Sequence, residues 1–116
     1  MNITVFGTKH DLVHLTEVVE ALPMLQYRKI QYGHAEDYDT LLRIIPKSEL
    51  AIVMLDGAEG MEGVMLARRA YPNLKVLWFS SDPAFGAQAH RLGCTYFGTK
   101  PISQSAMEMA IRSAAI

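Results

Sequence analysis

Short apolar blocks, each closed by a glycine or a small polar residue, alternate along the chain with stretches in which apolar residues recur every three or four positions. The first pattern predicts β-strand and the second amphipathic α-helix. Ile3, Val5 and Phe6 form a first strand. Leu12, Leu15, Val18, Val19 and Leu22 follow at helical spacing from near His10 or Asp11 until Pro23. A second strand is expected over about 27–32, stopping at Gly33. Tyr38, Leu41, Leu42 and Ile45 then give a helix closed by Pro46. Residues 50–55 are the most continuous apolar run and end abruptly at Asp56, as expected of a central parallel strand covered on both faces.

A loop over 56–60 leads into a helix at 61–71, which Pro72 and Asn73 terminate. A fourth strand follows at 76–79. Ser81-Asp82-Pro83 offers a cap residue with proline at the first helical position, opening a helix that ends at Gly93. A fifth strand at about 95–99 and a last helix at 103–115 complete five βα units. Right-handed crossovers then require a doubly wound five-stranded parallel sheet, strand order 2-1-3-4-5, of the flavodoxin-like α/β class. At 116 residues with no linker or repeat, the chain is expected to be one domain, 1–116.

Composition narrows the function classes. The formal net charge is -1 and acids and bases are interleaved along the chain with no Lys/Arg run, so direct nucleic-acid binding is not expected. No apolar run approaches the length of a bilayer span, so no membrane association is expected either, and the chain is placed in the cytoplasm. One cysteine, Cys94, forms no internal disulfide and reads as a small strand hydrophobe. Trp78 reads as a strand packing residue.

In this architecture the functional groups gather beyond the carboxyl ends of the strands. Those ends carry Gly7 and Thr8 after the first strand, Asp56 after the third, Ser80 after the fourth and Lys100 after the fifth. An aspartate with a lysine and a hydroxyl converging on it suits an anion: the carboxylate attacks phosphorus, the ammonium holds a phosphoryl oxygen and the serine donates to another. Taken singly, an Asp such as Asp56 is usually a helix cap or turn residue and a Lys such as Lys100 a solvated charge; it is their combination that points to a site.

The stretches LAIVMLDGAEGMEG, KVLWFSSDP and CTYFGTKPIS carry a resemblance. The chain resembles, over essentially its whole length, the receiver domains of bacterial two-component response regulators (the CheY-like superfamily). DPAFGAQAHRLGCTYFGTKPIS is most similar to receivers that precede LytTR DNA-binding domains. The resemblance implies Asp56 as phosphoacceptor, Ser80 as switch hydroxyl, Lys100 as phosphoryl-binding lysine and Phe97 as switch aromatic. It also implies a histidine kinase or another signalling protein as partner, and a homodimer through the helix 4, strand 5 and helix 5 face.

The family places two adjacent carboxylates at the end of the first strand to hold a divalent cation, and here those positions are Gly7 and Thr8. A hard cation such as Mg²⁺ needs carboxylate oxygens. The expectation is therefore an atypical receiver with no cofactor, acting as a protein-interaction module with phosphorylation impaired or lost, and no enzyme beyond self-phosphorylation of Asp56 from a phosphodonor. Mg²⁺ enters only if the acid pair is replaced, with Asp56, Asp11 and the Ala58 backbone carbonyl as ligands. Without it, an ion pair between Asp56 and Lys100 is expected. Two other readings stand beside this one: an active phosphoacceptor phosphorylated on Asp56 by a histidine kinase, and a small flavodoxin-like enzyme or ligand-binding protein using Gly7-Thr8 as a pocket floor.

Overall fold

A computed structural model describes residues 1–115. Five parallel strands, β1 (Asn2–Phe6), β2 (Gln31–Ala35), β3 (Leu50–Val53), β4 (Lys75–Ser80) and β5 (Tyr96–Thr99), form one sheet in the order β2-β1-β3-β4-β5. They alternate with α1 (Lys9–Glu20), α2 (Tyr38–Ile44), α3 (Gly57–Ala70), α4 (Gly86–Arg91) and α5 (Gln104–Ser113). The strand order reverses between β1 and β3, which leaves a crevice at their carboxyl ends.

Alternation within the strands builds two cores. Ile3 and Val5 of β1, Leu50 and Ile52 of β3, and Leu77 and Phe79 of β4 pack beneath Leu15 and Val19 of α1 and Met107 and Ile111 of α5. On the other face Phe6, Val53 and Trp78 pack against Leu41 of α2, Val64 and Ala67 of α3 and Ala89 of α4. All four β3 residues are buried, because helices cover both faces of a parallel sheet.

Three expectations from the sequence are corrected. The second strand is Gln31–Ala35 rather than 27–32, and Gly33 lies inside it opposite Thr4 instead of ending it. A Cβ there would sit 3.2 Å from Ile44 Cδ1, so glycine lets α2 lie close over the edge strand. Tyr27, taken as the strand's start, is 94 % exposed after a 3-10 turn at Pro23–Leu25.

The loop expected over 56–60 does not form. Gly57 adopts φ +60, which turns the chain directly from Asp56 into α3. The glycines that read as loop are close-packing positions in the helix. A Cβ on Gly60 would lie 1.9 Å from the Leu55 carbonyl oxygen, and one on Gly63 would lie 2.5 Å from the Phe6 ring. Third, the helix expected from Pro83 to Gly93 is a 3-10 turn at Pro83–Phe85 followed by the short α4, ending before Gly93 at φ +75.

Candidate functional site

The crevice is framed by β1–α1, β3–α3, β4–α4 and β5–α5. Thr8 is the N-cap of α1: its hydroxyl accepts from Asp11 N at 3.0 Å, while Asp11 Oδ2 accepts from Thr8 N at 3.0 Å. This reciprocal pair is a capping box, written in the sequence as Thr-Lys-His-Asp. Gly7 is buried beside it, and a Cβ there would lie 3.0 Å from Asp11 Oδ2, 3.1 Å from Asp11 Cβ and 3.1 Å from Met54 Cβ. Asp11 therefore occupies the volume a side chain at position 7 would need. The Gly7 carbonyl accepts from His34 Nε2 at 2.8 Å.

Asp56 stands at the N-cap position of α3, yet its side chain makes no capping bond. Its carboxylate turns across the crevice instead, where Oδ1 accepts from Ser81 N at 2.8 Å and lies 3.3 Å from Lys100 Nζ. Partial burial pushes the Asp56 carboxyl up, but hydrogen bonds from the Ser81 backbone and side chain and the charge of Lys100 outweigh it. The net result is a pKa below the ordinary value of 3.8. The carboxylate remains 47 % exposed, so its ion pair is worth roughly 1 kcal/mol or less after solvent screening.

Lys100 closes the network. Its backbone N–H donates to Ser80 O at 2.9 Å, its peptide bond to Pro101 is cis, and its ammonium donates to Met54 O at 2.7 Å. The same ammonium is 3.7 Å from Asp11 Oδ1, so it lies against two carboxylates and a carbonyl. Lys100 is 20 % exposed at its side chain and Asp11 13 %, so this part of the network is more enclosed than Asp56.

Ser80 is wholly buried, and its hydroxyl accepts from Asp82 N at 3.1 Å; the group that donates to Asp56 is the next residue's amide. Phe97 is half-buried and stacks edge-on against Trp78 with ring centroids 5.4 Å apart. Trp78 also meets Phe85 at 5.5 Å, and its indole Nε1 donates to Leu55 O at 3.1 Å, one residue before Asp56. Sequence reading took Trp78 as packing alone. The Met54 carbonyl and Ser81 amide also escaped it, since backbone groups leave no residue-type signal.

Of the residues expected for a rebuilt Mg²⁺ site, Asp56 and Asp11 both face Lys100 Nζ, at 3.3 and 3.7 Å. Ala58 is the second residue of α3, next to Gly57 at φ +60. Asp11 is committed to Thr8 N and Lys100. Among the described residues, no group of three or more His, Cys, Asp or Glu side chains is arranged to hold a metal. Nor is Gly7-Thr8 a pocket floor: Asp11 and Met54 fill the space above Gly7. The crevice that remains is an open cleft of about 360 Å³ beside Lys100, bordered by His10, Asp11, His14, Met54, Ser81 and Pro101.

Comparison with known proteins places this geometry in a fold. No family model and no curated protein matches the chain. Among solved structures, it is similar to the signal receiver domain of an HD domain-containing protein from Pseudomonas fluorescens Pf-5, at 20 % identity and TM-score 0.76, covering 98 % of this chain and 92 % of that one. It is also similar to a receiver domain protein (CheY-like) from Methanospirillum hungatei JF-1, at 17 % identity and TM-score 0.69, covering 96 % and 90 %. A Burkholderia thailandensis E264 protein assigned to pilus assembly (cpaE) matches at 17 % identity and TM-score 0.75, covering 99 % and 98 %. The fold is that of response regulator receiver domains, and identities this low accord with a divergent sequence.

Proposed function

We propose that this chain is a receiver-type domain of two-component signalling that works as a protein-interaction module in a fixed state, without metal-dependent phosphorylation. The observation that carries the reading is the placement of Lys100 Nζ, 3.3 Å from Asp56 Oδ1 and 3.7 Å from Asp11 Oδ1. A divalent cation beside the acceptor carboxylate stabilises charge on a transferring phosphoryl group. Here a built-in ammonium offsets part of the charge of the two carboxylates, and Gly7 and Thr8 supply no side-chain carboxylate.

In this reading Asp56, Ser80 and Lys100 keep the family's positions, with Phe97 at the switch position, while the acid-pair positions Gly7 and Thr8 serve α1. The domain catalyses no reaction of its own. Its partner is a histidine kinase or another signalling protein, it acts in the cytoplasm, and the α4, β5 and α5 face is the seam for a homodimer. Among the described residues no helix is long and apolar enough to cross a membrane.

One observation favours the alternative of a working phosphoacceptor: Asp56 is ionised and 47 % exposed, as a nucleophile needs. A titration of Mg²⁺ with beryllofluoride, followed by Trp78 fluorescence and by the amide resonances of Ser81 and Asp56, separates the two. Trp78 reports on the crevice because its indole is bonded to Leu55 O. The fixed module gives no saturable response at millimolar metal. A Mg²⁺-dependent response that disappears in Asp56→Ala assigns the phosphoacceptor instead.

A further inference from the structure

The fold sorts charges that the chain interleaves. Of the eleven Lys and Arg residues only Lys9 and Lys100 lie at the carboxyl-end rim of the sheet. Arg28, Lys29, Lys47 and Lys75 lie in or beside the connections that enter the strands at the opposite end, and all four are exposed. Arg43, Arg69 and Arg91 occupy last helical turns facing that same end. The acids run the other way: Asp11, Glu36, Asp37, Asp39, Asp56, Glu59 and Asp82 cluster at the rim, while Glu17, Glu20 and Glu49 reach the opposite end.

Helix dipoles favour acids at helix starts and bases at helix ends, which accounts for part of this sorting. They do not account for Arg28, Lys29 and Lys75, which belong to no helix.

The basic end also holds an open groove of about 520 Å³ between the 3-10 turn Ile45–Lys47 and the connection from α3 to β4. Ile45, Leu74, Pro46, Pro72 and Tyr71 give it apolar walls, and Tyr71 is 38 % exposed. Lys75 and Glu49 line it as well. Lys47 borders the adjoining cleft that shares Ser48 with this groove, while Arg69 faces away toward Leu92.

We propose that this groove docks an acidic segment of a partner protein. An apolar side chain of that segment enters between Pro46, Tyr71 and Pro72, while its Asp and Glu residues meet Lys75 in the groove and Lys47 just beyond Ser48. This names a docking face for the interaction module and rests on that reading only in taking protein binding as the domain's task. Charge complementarity selects an acidic occupant. Apolar walls and Glu49 favour a peptide over a run of phosphates. A second copy of the chain is disfavoured, because its acidic rim loops lack an anchor: the large exposed apolar residues Val13, Tyr27, Leu42, Tyr71 and Met109 all lie outside them.

The test titrates isotope-labelled protein with a short peptide of Asp and Glu around a central Phe-Leu pair, following backbone amides by NMR. Saturable shifts at Ser48, Tyr71, Asn73 and Lys75, weakening with salt and by about tenfold in Lys47→Glu/Lys75→Glu, are the expected result. The same peptide with Lys in place of its acids should not bind. The proposal is overturned if no shifts appear at millimolar peptide, if they map to the rim, or if the Lys peptide binds equally. Tighter binding of an oligothymidine strand would assign nucleic acid. Salt-sensitive self-association, seen by sedimentation and lost in the same double variant, would assign a second copy. Each of these outcomes is independent of the Mg²⁺ and beryllofluoride titration, so failure of one reading is separable from failure of the other.

Discussion

The two ends of the sheet contrast in what their polar groups do. At the rim, Asp11, Asp56, Thr8, Ser80 and Lys100 all engage groups within this same chain. At the opposite end, Lys47 and Lys75 stand exposed beside an open groove, and no hydrogen bond or ion pair is made by either side chain among the described residues. The difference teaches that charged groups where a fold usually reacts can be engaged within the chain, while charges left free to meet a partner stand where the fold usually does not react. An internally satisfied site resists change, and an open one costs little to alter.

The largest expected effect comes from breaking the frame that holds the rim. Gly60→Ala would place a methyl 1.9 Å from Leu55 O and 2.8 Å from Trp78 Nε1, where backbone and a fully buried indole cannot yield. The loss should reach roughly 3 kcal/mol, the upper range for overpacking. Urea denaturation followed by Trp78 fluorescence measures it, and a loss under about 1 kcal/mol would show that α3 can shift.

Next in size is the contact between Gly7 and Asp11. Gly7→Ala should cost roughly 1–2 kcal/mol by crowding Asp11 and Met54, and Asp11→Ala about 1 kcal/mol by removing half of the capping box. In the double variant the crowding is relieved, so the losses should fall short of additivity by about 0.5 kcal/mol or more. Strict additivity would mean that Asp11 does not fill the space beside Gly7.

Lys100→Met keeps the stem and removes the ammonium, leaving the Met54 carbonyl without its 2.7 Å donor. A cost of roughly 1–2 kcal/mol is expected. The Asp56 pKa should rise, because the Ser81 hydrogen bonds remain and the Lys100 charge does not. The sign of the pH dependence follows. Asp56 has a folded pKa below its ordinary value, so its stabilising contribution is complete above about pH 4 and disappears as pH falls through the folded pKa. Asp56→Asn should flatten the acid limb of the stability profile, and Lys100→Met should flatten it in part. An unchanged limb in both would remove the carboxylate from the network.

How far the sequence disclosed these two ends depends on what each end is made of. The continuous run at 50–55 and the prolines at 23, 46 and 72 punctuate the chain strongly enough that element order and sheet order were legible. Edge strand β2 was not, because Gln-Tyr-Gly-His-Ala has neither a buried run nor a clean alternation, and its glycine serves α2 packing. The start of α3 was hidden for a similar reason: Gly57 and Gly60 read as loop, though one is the turn and the other a close-approach point. At the rim, Asp56 and Lys100 were visible as charged groups at strand ends. The Ser81 amide and Met54 carbonyl carry no residue-type signal. The basic end was invisible altogether, since Arg28, Lys47 and Lys75 are far apart in sequence and only right-handed βα crossovers bring them to one side.

The smallest expected effect therefore falls at the end the sequence concealed. Lys47→Glu/Lys75→Glu alters two exposed side chains with no partner to lose, so stability should stay within about 0.5 kcal/mol of the parent. Reversing two charges near Glu49 and in the field of helix carboxyl termini works slightly against the fold, which sets the sign as a small loss that shrinks in salt. The contrast with Gly60→Ala is the informative quantity. If denaturation shows the double reversal costing as much as the rim variants, the basic end is a structural network like the rim. If it costs almost nothing, those charges are free of any duty to the fold, as a docking role requires.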